Sequence, residues 1–176
     1  MSYIIAQDDE QRKLSFSLQS QADIEAVSLV EATAKCKSKL DNAKYPLAFS
    51  VEFEPEDAKV EGRFMTVRVR FTFTVTDKDK VDVIVVKCLL SADYELAAGF
   101  RPSRNAINAF KQGNAIFNCW PYFREYVQNT VVRMNYPPPT IPFLRLMPMP
   151  SKLNGATAKT RSRARKAVKA EARSQR

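Results

Sequence analysis

The chain has 176 residues, 45% hydrophobic, 27% charged and 10% aromatic, which suits one folded domain and excludes a disordered or fibrous protein. It contains no His. A Ser-His-Asp triad, a Cys-His dyad and every His-based metal site are therefore excluded together.

The opening, MSYIIAQDDEQRK, places acids where a signal peptide carries bases. No stretch reaches the roughly 18 apolar residues of a membrane span. Cys36, Cys88 and Cys119 lie far apart, without CxxC or zinc spacing. They predict free thiols in a reducing cytosol, hence a cytoplasmic protein. The net charge of +9 is unevenly placed. Residues 151–176 hold nine Lys/Arg against Glu171 alone, a balance of +8, which leaves +1 for residues 1–150.

Residues 1–23 are polar and read as an N-terminal extension. Leu14, Phe16 and Leu18 alternate with Ser and are compatible with a short strand or a helical turn. Residues 24–38 read as a strand whose apolar face switches part-way, from Val27 and Leu29 to Ala32, Ala34 and Cys36. In residues 48–54, Phe49, Val51 and Phe53 alternate inward, and 55–63 (PEDAKVEGR) read as a polar loop.

Residues 64–76 carry the strongest strand signal. Met65, Val67, Val69, Phe71, Phe73 and Val75 form one face, and Thr and Arg fill the other. Asp77 to Lys80 form a turn, and 81–97 a second long strand with apolar residues on both parities. That pattern predicts burial on both faces, by a helix or another subunit.

Ser103 is placed to cap a helix from Arg104 that Gly113 would stop. A second helix spans about 114–135, with Phe117, Trp120, Phe123, Tyr126/Val127, Thr130/Val131 and Met134 at helical spacing. Pro121 either kinks it or restarts it, and Pro137-Pro138-Pro139 end it. Residues 140–150 (TIPFLRLMPMP) predict an extended segment laid on the body. Strands followed by helices give an α+β fold, one antiparallel sheet covered on one face.

Chemistry is sparse. Gly62, Gly99, Gly113 and Gly155 are isolated from one another and form no phosphate loop. The acids at 8–10 and 52–57 read as a solvated edge and loop, and Cys119 as a buried structural thiol. No catalytic set and no cofactor site is expected. The apolar surplus at 117–147 says more. Tyr122 lies about 200° around the helix from Trp120, so both cannot face one core. Some of this surface is expected to meet another subunit or a client. The tail, RSRARKAVKAEAR, reads as a basic helix for phosphates or as a disordered extension. It has no interleaved aromatics for base stacking.

The stretch AIFNCWPYFREYVQNTVVRMNYPPPTIPFLRLMP resembles the signature of the SecB export chaperone family. Trp120-Pro121-Tyr122-Phe123-Arg124-Glu125 matches its (F/Y)-P-Y-x-R-E opening, and Arg133 with Pro137-Pro138 matches its R-x-x-x-P-P segment. The resemblance is close over about 35 residues and loose over about 130. Two features depart from it. Pro142, Pro148 and Pro150 stand where the family has a long C-terminal helix, and the tail is basic instead of acidic. The ending LRLMPMP looks more like SecB-like chaperones encoded with toxin–antitoxin modules.

The resemblance implies a SecB-like domain over 24–150, with a four-stranded antiparallel sheet covered on one face by helices. It implies an ATP-independent holdase for unfolded preproteins or an antitoxin, assembled as a homotetramer, a dimer of dimers. The expected client groove lies between the acidic loop and the aromatic helix. It would be lined by Phe49, Val51, Phe53, Val60, Trp120, Tyr122, Tyr136, Phe143 and Leu146. Arg124 and Glu125 are expected to be structural, pairing around the helix start or across an interface. Glu31 is the counterpart of the acids that dock the SecA ATPase. Nucleic-acid binding through 151–176 is the alternative function.

Overall fold

The computed structural model describes residues 3–37 and 42–149. The expectations for the tail 151–176 lie outside these residues. The elements, in chain order, are β1 (Tyr3–Gln7), α1 (Asp9–Gln19), β2 (Ala22–Cys36), β3 (Ala48–Pro55), β4 (Lys59–Glu61), β5 (Phe64–Thr76), β6 (Asp82–Leu96), α2 (Arg104–Phe110), a π-helical segment (Lys111–Ala115), α3 (Ile116–Arg133) and β7 (Leu144–Pro148).

Four long strands form an antiparallel sheet in the order β2-β6-β5-β3, and β4 pairs with the start of β5. The alternation in β5 sorts its side chains as expected. Met65, Val67, Val69, Phe71 and Phe73 are fully buried against the helices, while Thr and Arg face outward. The central strand β6 is buried on both parities. On its outer face, Leu89 is bracketed by its register partners Arg70 and Glu31. Arg70 forms ion pairs with Glu31 (3.9 Å) and Glu56 (2.9 Å) across that site.

The face switch in β2 has a backbone cause. Register shifts at Ile24/Ala26 and at Leu29/Glu31 insert extra residues, and each insertion moves the apolar set to the other parity. The strand is an edge of the sheet and is almost wholly exposed, with only Ala22 and Val27 half-buried.

Residues 3–23 are part of the body and not a separate extension. β1 pairs in parallel with β7, Tyr3 opposite Leu144 through Gln7 opposite Pro148. The alternation of Leu14, Phe16 and Leu18 belongs to a helix. Asp8 caps it by accepting from the Gln11 amide at 2.7 Å, and Gln11 returns a bond to the Asp8 amide. Leu14 and Leu18, one turn apart, face the body, and Phe16 faces solvent.

Ser103 caps α2 as expected, accepting from the Ala106 amide at 3.2 Å. Gly113 does not stop the helix. The chain stays helical from Arg104 to Arg133 and passes Gly113 through the π segment. A Cβ there would lie 2.5 Å from Gln7 Nε2. This glycine therefore serves close packing and not chain reversal. Pro121 lies inside α3. The helix closes before the proline run, where Asn135 turns left-handed (φ 63°) and Tyr136 N–H donates to Val131 O. Residues 144–148 are extended, as expected, but the loop 55–63 contains the short strand β4. Among the described residues, no helix is long and apolar enough to cross a membrane.

Candidate functional site

The inner stripe of α3 consists of Ile116, Cys119, Trp120, Phe123, Val127 and Val131, all buried. It lies over the aromatic centre of the sheet, where Phe123 stacks on Phe71 at 4.6 Å. Trp120 is only 3% exposed. Its ring meets Tyr3 (5.3 Å), Phe123 (5.3 Å), Phe71 (6.1 Å) and, edge-on, Phe53 (6.1 Å). Its indole N–H donates to Pro142 O at 3.1 Å. Trp120 is thus core, because a whole aromatic cluster and a backbone acceptor already hold it. Val51 and Tyr136 are also buried within the subunit. These three cannot line an open groove without the subunit opening.

The other expected residues occupy separate places. Phe49 is partly exposed beside Phe73 (5.6 Å), and Phe53 is half-buried above Trp120. Tyr122 is half-exposed on the opposite side of α3 from Trp120. Phe143 is 70% exposed, with the Arg124 guanidinium 4.8 Å from its ring. Within α3, Asn129 donates to Glu125.

Val60 lines a cleft of about 570 Å³ with Phe100, Pro102 and Ile107, rimmed by Arg63 and Arg101. Gly62 and Gly99, both with positive φ, turn the chain at its walls. Leu146 lines another cleft, of about 450 Å³, against Phe16, Ser15 and Asn114 of the α1 side. The nine residues thus form a buried floor, exposed points around it and two distinct clefts, not one groove.

Phe100 and Ile107 were not singled out from the sequence. Their signal was an aromatic set between turn formers, Gly99-Phe100-Arg101-Pro102, which reads equally as a simple break.

Nothing in the titration favours nucleophilic chemistry. Burial pushes the Cys88 and Cys119 thiols up to about 12, so neither supplies a thiolate near neutrality. Burial also raises Tyr94, although Asn118 donates to its Oη at 3.1 Å. Several of the acids have structural partners: Asp8 caps α1, Glu56 pairs with Arg70, and Asp57 pairs with Lys111 at 3.0 Å. Among the described residues, no group of three or more acid or thiol side chains is arranged to hold a metal.

No family model matches this chain, and no curated protein matches it. Among solved structures, it is similar to the SecB-like chaperone Rv1957 of Mycobacterium tuberculosis, in complex with a ChAD peptide from the Rv1956 HigA1 antitoxin. The TM-score is 0.69 at 22% identity, over 77% of this chain and 99% of that one. The chain has the SecB-like fold. A protein of unknown function from Streptococcus agalactiae aligns with TM-score 0.41 at 10% identity, over 70% of this chain and 98% of that one. In SecB-like terms, the four-stranded sheet is β2-β6-β5-β3 and the long helix is α3.

Proposed function

We propose that this chain is an ATP-independent holdase that binds unfolded or nascent polypeptide through exposed apolar side chains. One observation carries the reading: the folded subunit leaves many large apolar residues uncovered. Ile24, Leu29 and Val30 are exposed on the edge strand β2, Phe64 at the start of β5, and Tyr122 and Phe143 around α3. Burial of such groups yields roughly 25 cal/mol per Å² of apolar area. A client wrapped over several such points gains by avidity, and an extended client can pair with a free sheet edge.

Part of this surface is reserved for self-association in the proposal. The long, bare β2 is a template for a second copy, and a homotetramer built as a dimer of dimers would repeat the client points four times. The client is an exported preprotein or an antitoxin segment. The fold shared with a chaperone held in complex with an antitoxin peptide supports the second. Docking of SecA through Glu31 would have to break its ion pair with Arg70.

The test is suppression of aggregation of an unfolded model protein without ATP. Suppression is expected at one tetramer per client, and none at that ratio overturns the reading. A second reading is favoured by charge alone. The +8 balance of 151–176 suits nucleic acid. It predicts salt-steep RNA or DNA binding that disappears on deletion of 151–176, while holding activity would survive that deletion.

A further inference from the structure

The β1–β7 sheet has two faces. Tyr3, Ile5, Gln7, Leu144 and Leu146 turn toward the body. Ile4, Phe143, Arg145, Met147 and Met149 are exposed on the other side, with Ile4 directly opposite Arg145. Among the described residues this sheet has two strands. Each therefore has an edge that no third described strand occupies, and two strands alone are a marginal sheet.

Two arginines of this row are without an acidic partner among the described residues. Arg124 lies against Phe143 with its Nε buried and without a hydrogen-bond partner. Among the described residues, neither Arg124 nor Arg145 forms an ion pair. Of the acids near in sequence, Asp8 caps α1, Asp9 lies 3.7 Å from Arg12, and Glu125 accepts from Asn129. The chain then leaves β7 at Met149, whose N–H donates to Gln7 O, and continues into the segment with nine Lys/Arg.

We propose that the outward face of β1–β7 docks an extended polypeptide segment that carries carboxylates among its apolar side chains, added as a third strand. This rests on the holdase reading and narrows its clients to acidic, apolar sequences. Main-chain bonds to the free edge supply sequence-independent affinity. Ile4, Phe143 and Met147 take alternate apolar side chains, and Arg145 and Arg124 take the carboxylates between them.

The test uses the full-length protein and two short labelled peptides with identical apolar residues, one with Glu and one with Lys between them. Fluorescence anisotropy is expected to show the Glu peptide binding roughly tenfold tighter at low salt. Arg145→Glu should remove that preference, Arg145→Gln should weaken it, and Phe143→Ser should weaken binding of both peptides. Equal binding of the two peptides, or a preference unchanged in Arg145→Glu, overturns the proposal. Aggregation suppression of a generic client, measured on the same samples, separates the two failures. If suppression persists without a charge preference, only this site is wrong. If suppression is absent, the holdase reading has failed.

Discussion

The side-chain amide of Gln7 fills the space beside Gly113 where any other residue would place its Cβ, 2.5 Å from Gln7 Nε2. Gln7 is itself buried and donates to Ala109 O at 3.0 Å. This contact locks β1 to the α2–α3 run. Beside it, the Ser15 hydroxyl bonds to Asn114 Oδ1 at 2.7 Å.

Gly113→Ala should therefore reverse the usual rule. In an ordinary helix interior, replacing Gly by Ala stabilises by about 1 kcal/mol. Here the added methyl meets a buried, bonded amide, and overpacking should cost about 1–3 kcal/mol. Urea denaturation should show a lower midpoint for Gly113→Ala, with part of the loss restored by Gln7→Ala in the same chain. A rise in midpoint for the single variant contradicts the contact.

Trp120→Ala and Phe143→Ala should separate folding from holding. Trp120 is sealed by four aromatic neighbours and a backbone acceptor, so its truncation should cost about 3–5 kcal/mol of stability. Phe143 is largely exposed, and its truncation should leave the denaturation midpoint nearly unchanged while weakening aggregation suppression. Equal stability losses in the two variants would place Phe143 in the core as well.

The buried thiols give a pH dependence with a definite sign. Burial raises Cys88 and Cys119 from 9.0 to about 12, so the folded state holds these protons where the unfolded state has lost them. Their contribution is fully present below about pH 9 and falls as pH rises from 9 toward 12. Tyr94, also raised by burial, adds to the same loss. Unfolding free energy should decline over that window and decline less in Cys88→Ala. In native protein near neutral pH, iodoacetamide should label the exposed Cys36 and spare both buried thiols. Rapid labelling of all three would contradict this packing.

Self-association should run through β2. Light scattering of the native protein is expected to give about four times the 20.0 kDa chain mass. Leu29→Arg together with Val30→Asp puts two charges on an exposed edge strand. Charges there block edge pairing without touching the core, so the pair should lower the mass and leave the circular dichroism unchanged. A wild-type monomer, or an unaltered mass in the variant, rules out this route.

The legible parts of the fold were those where one periodicity acts alone. β5 alternates Met65-Val67-Val69-Phe71-Phe73 against Thr and Arg, and the structure buries that row as expected. The Ser103 cap and the extended 144–148 segment were legible for similar local reasons. The misreadings arise where a distant partner decides. Gly113 looked like a stop because the side chain it makes room for lies over a hundred residues earlier. Leu14 and Leu18 sit one helical turn apart, but the intervening Phe16 left strand and helical turn both open.

The site was less legible, because periodicity tells which face is apolar and not which apolar face is covered. Trp120 and Tyr122 were correctly separated around α3, but Trp120 was assigned to the groove. The segment that caps it, Pro142, lies beyond the helix in a run without periodicity. Val60 was singled out, but its neighbours Phe100 and Ile107 come from a loop and a helix far along the chain.

The parallel pairing of β1 with β7 has a consequence for biosynthesis. β1 finds its mate only once β7 has also been made. Until then β1 lacks its strand partner, and Trp120 lacks its Pro142 acceptor. Sealing of the Trp120 pocket thus waits for the segment that follows α3.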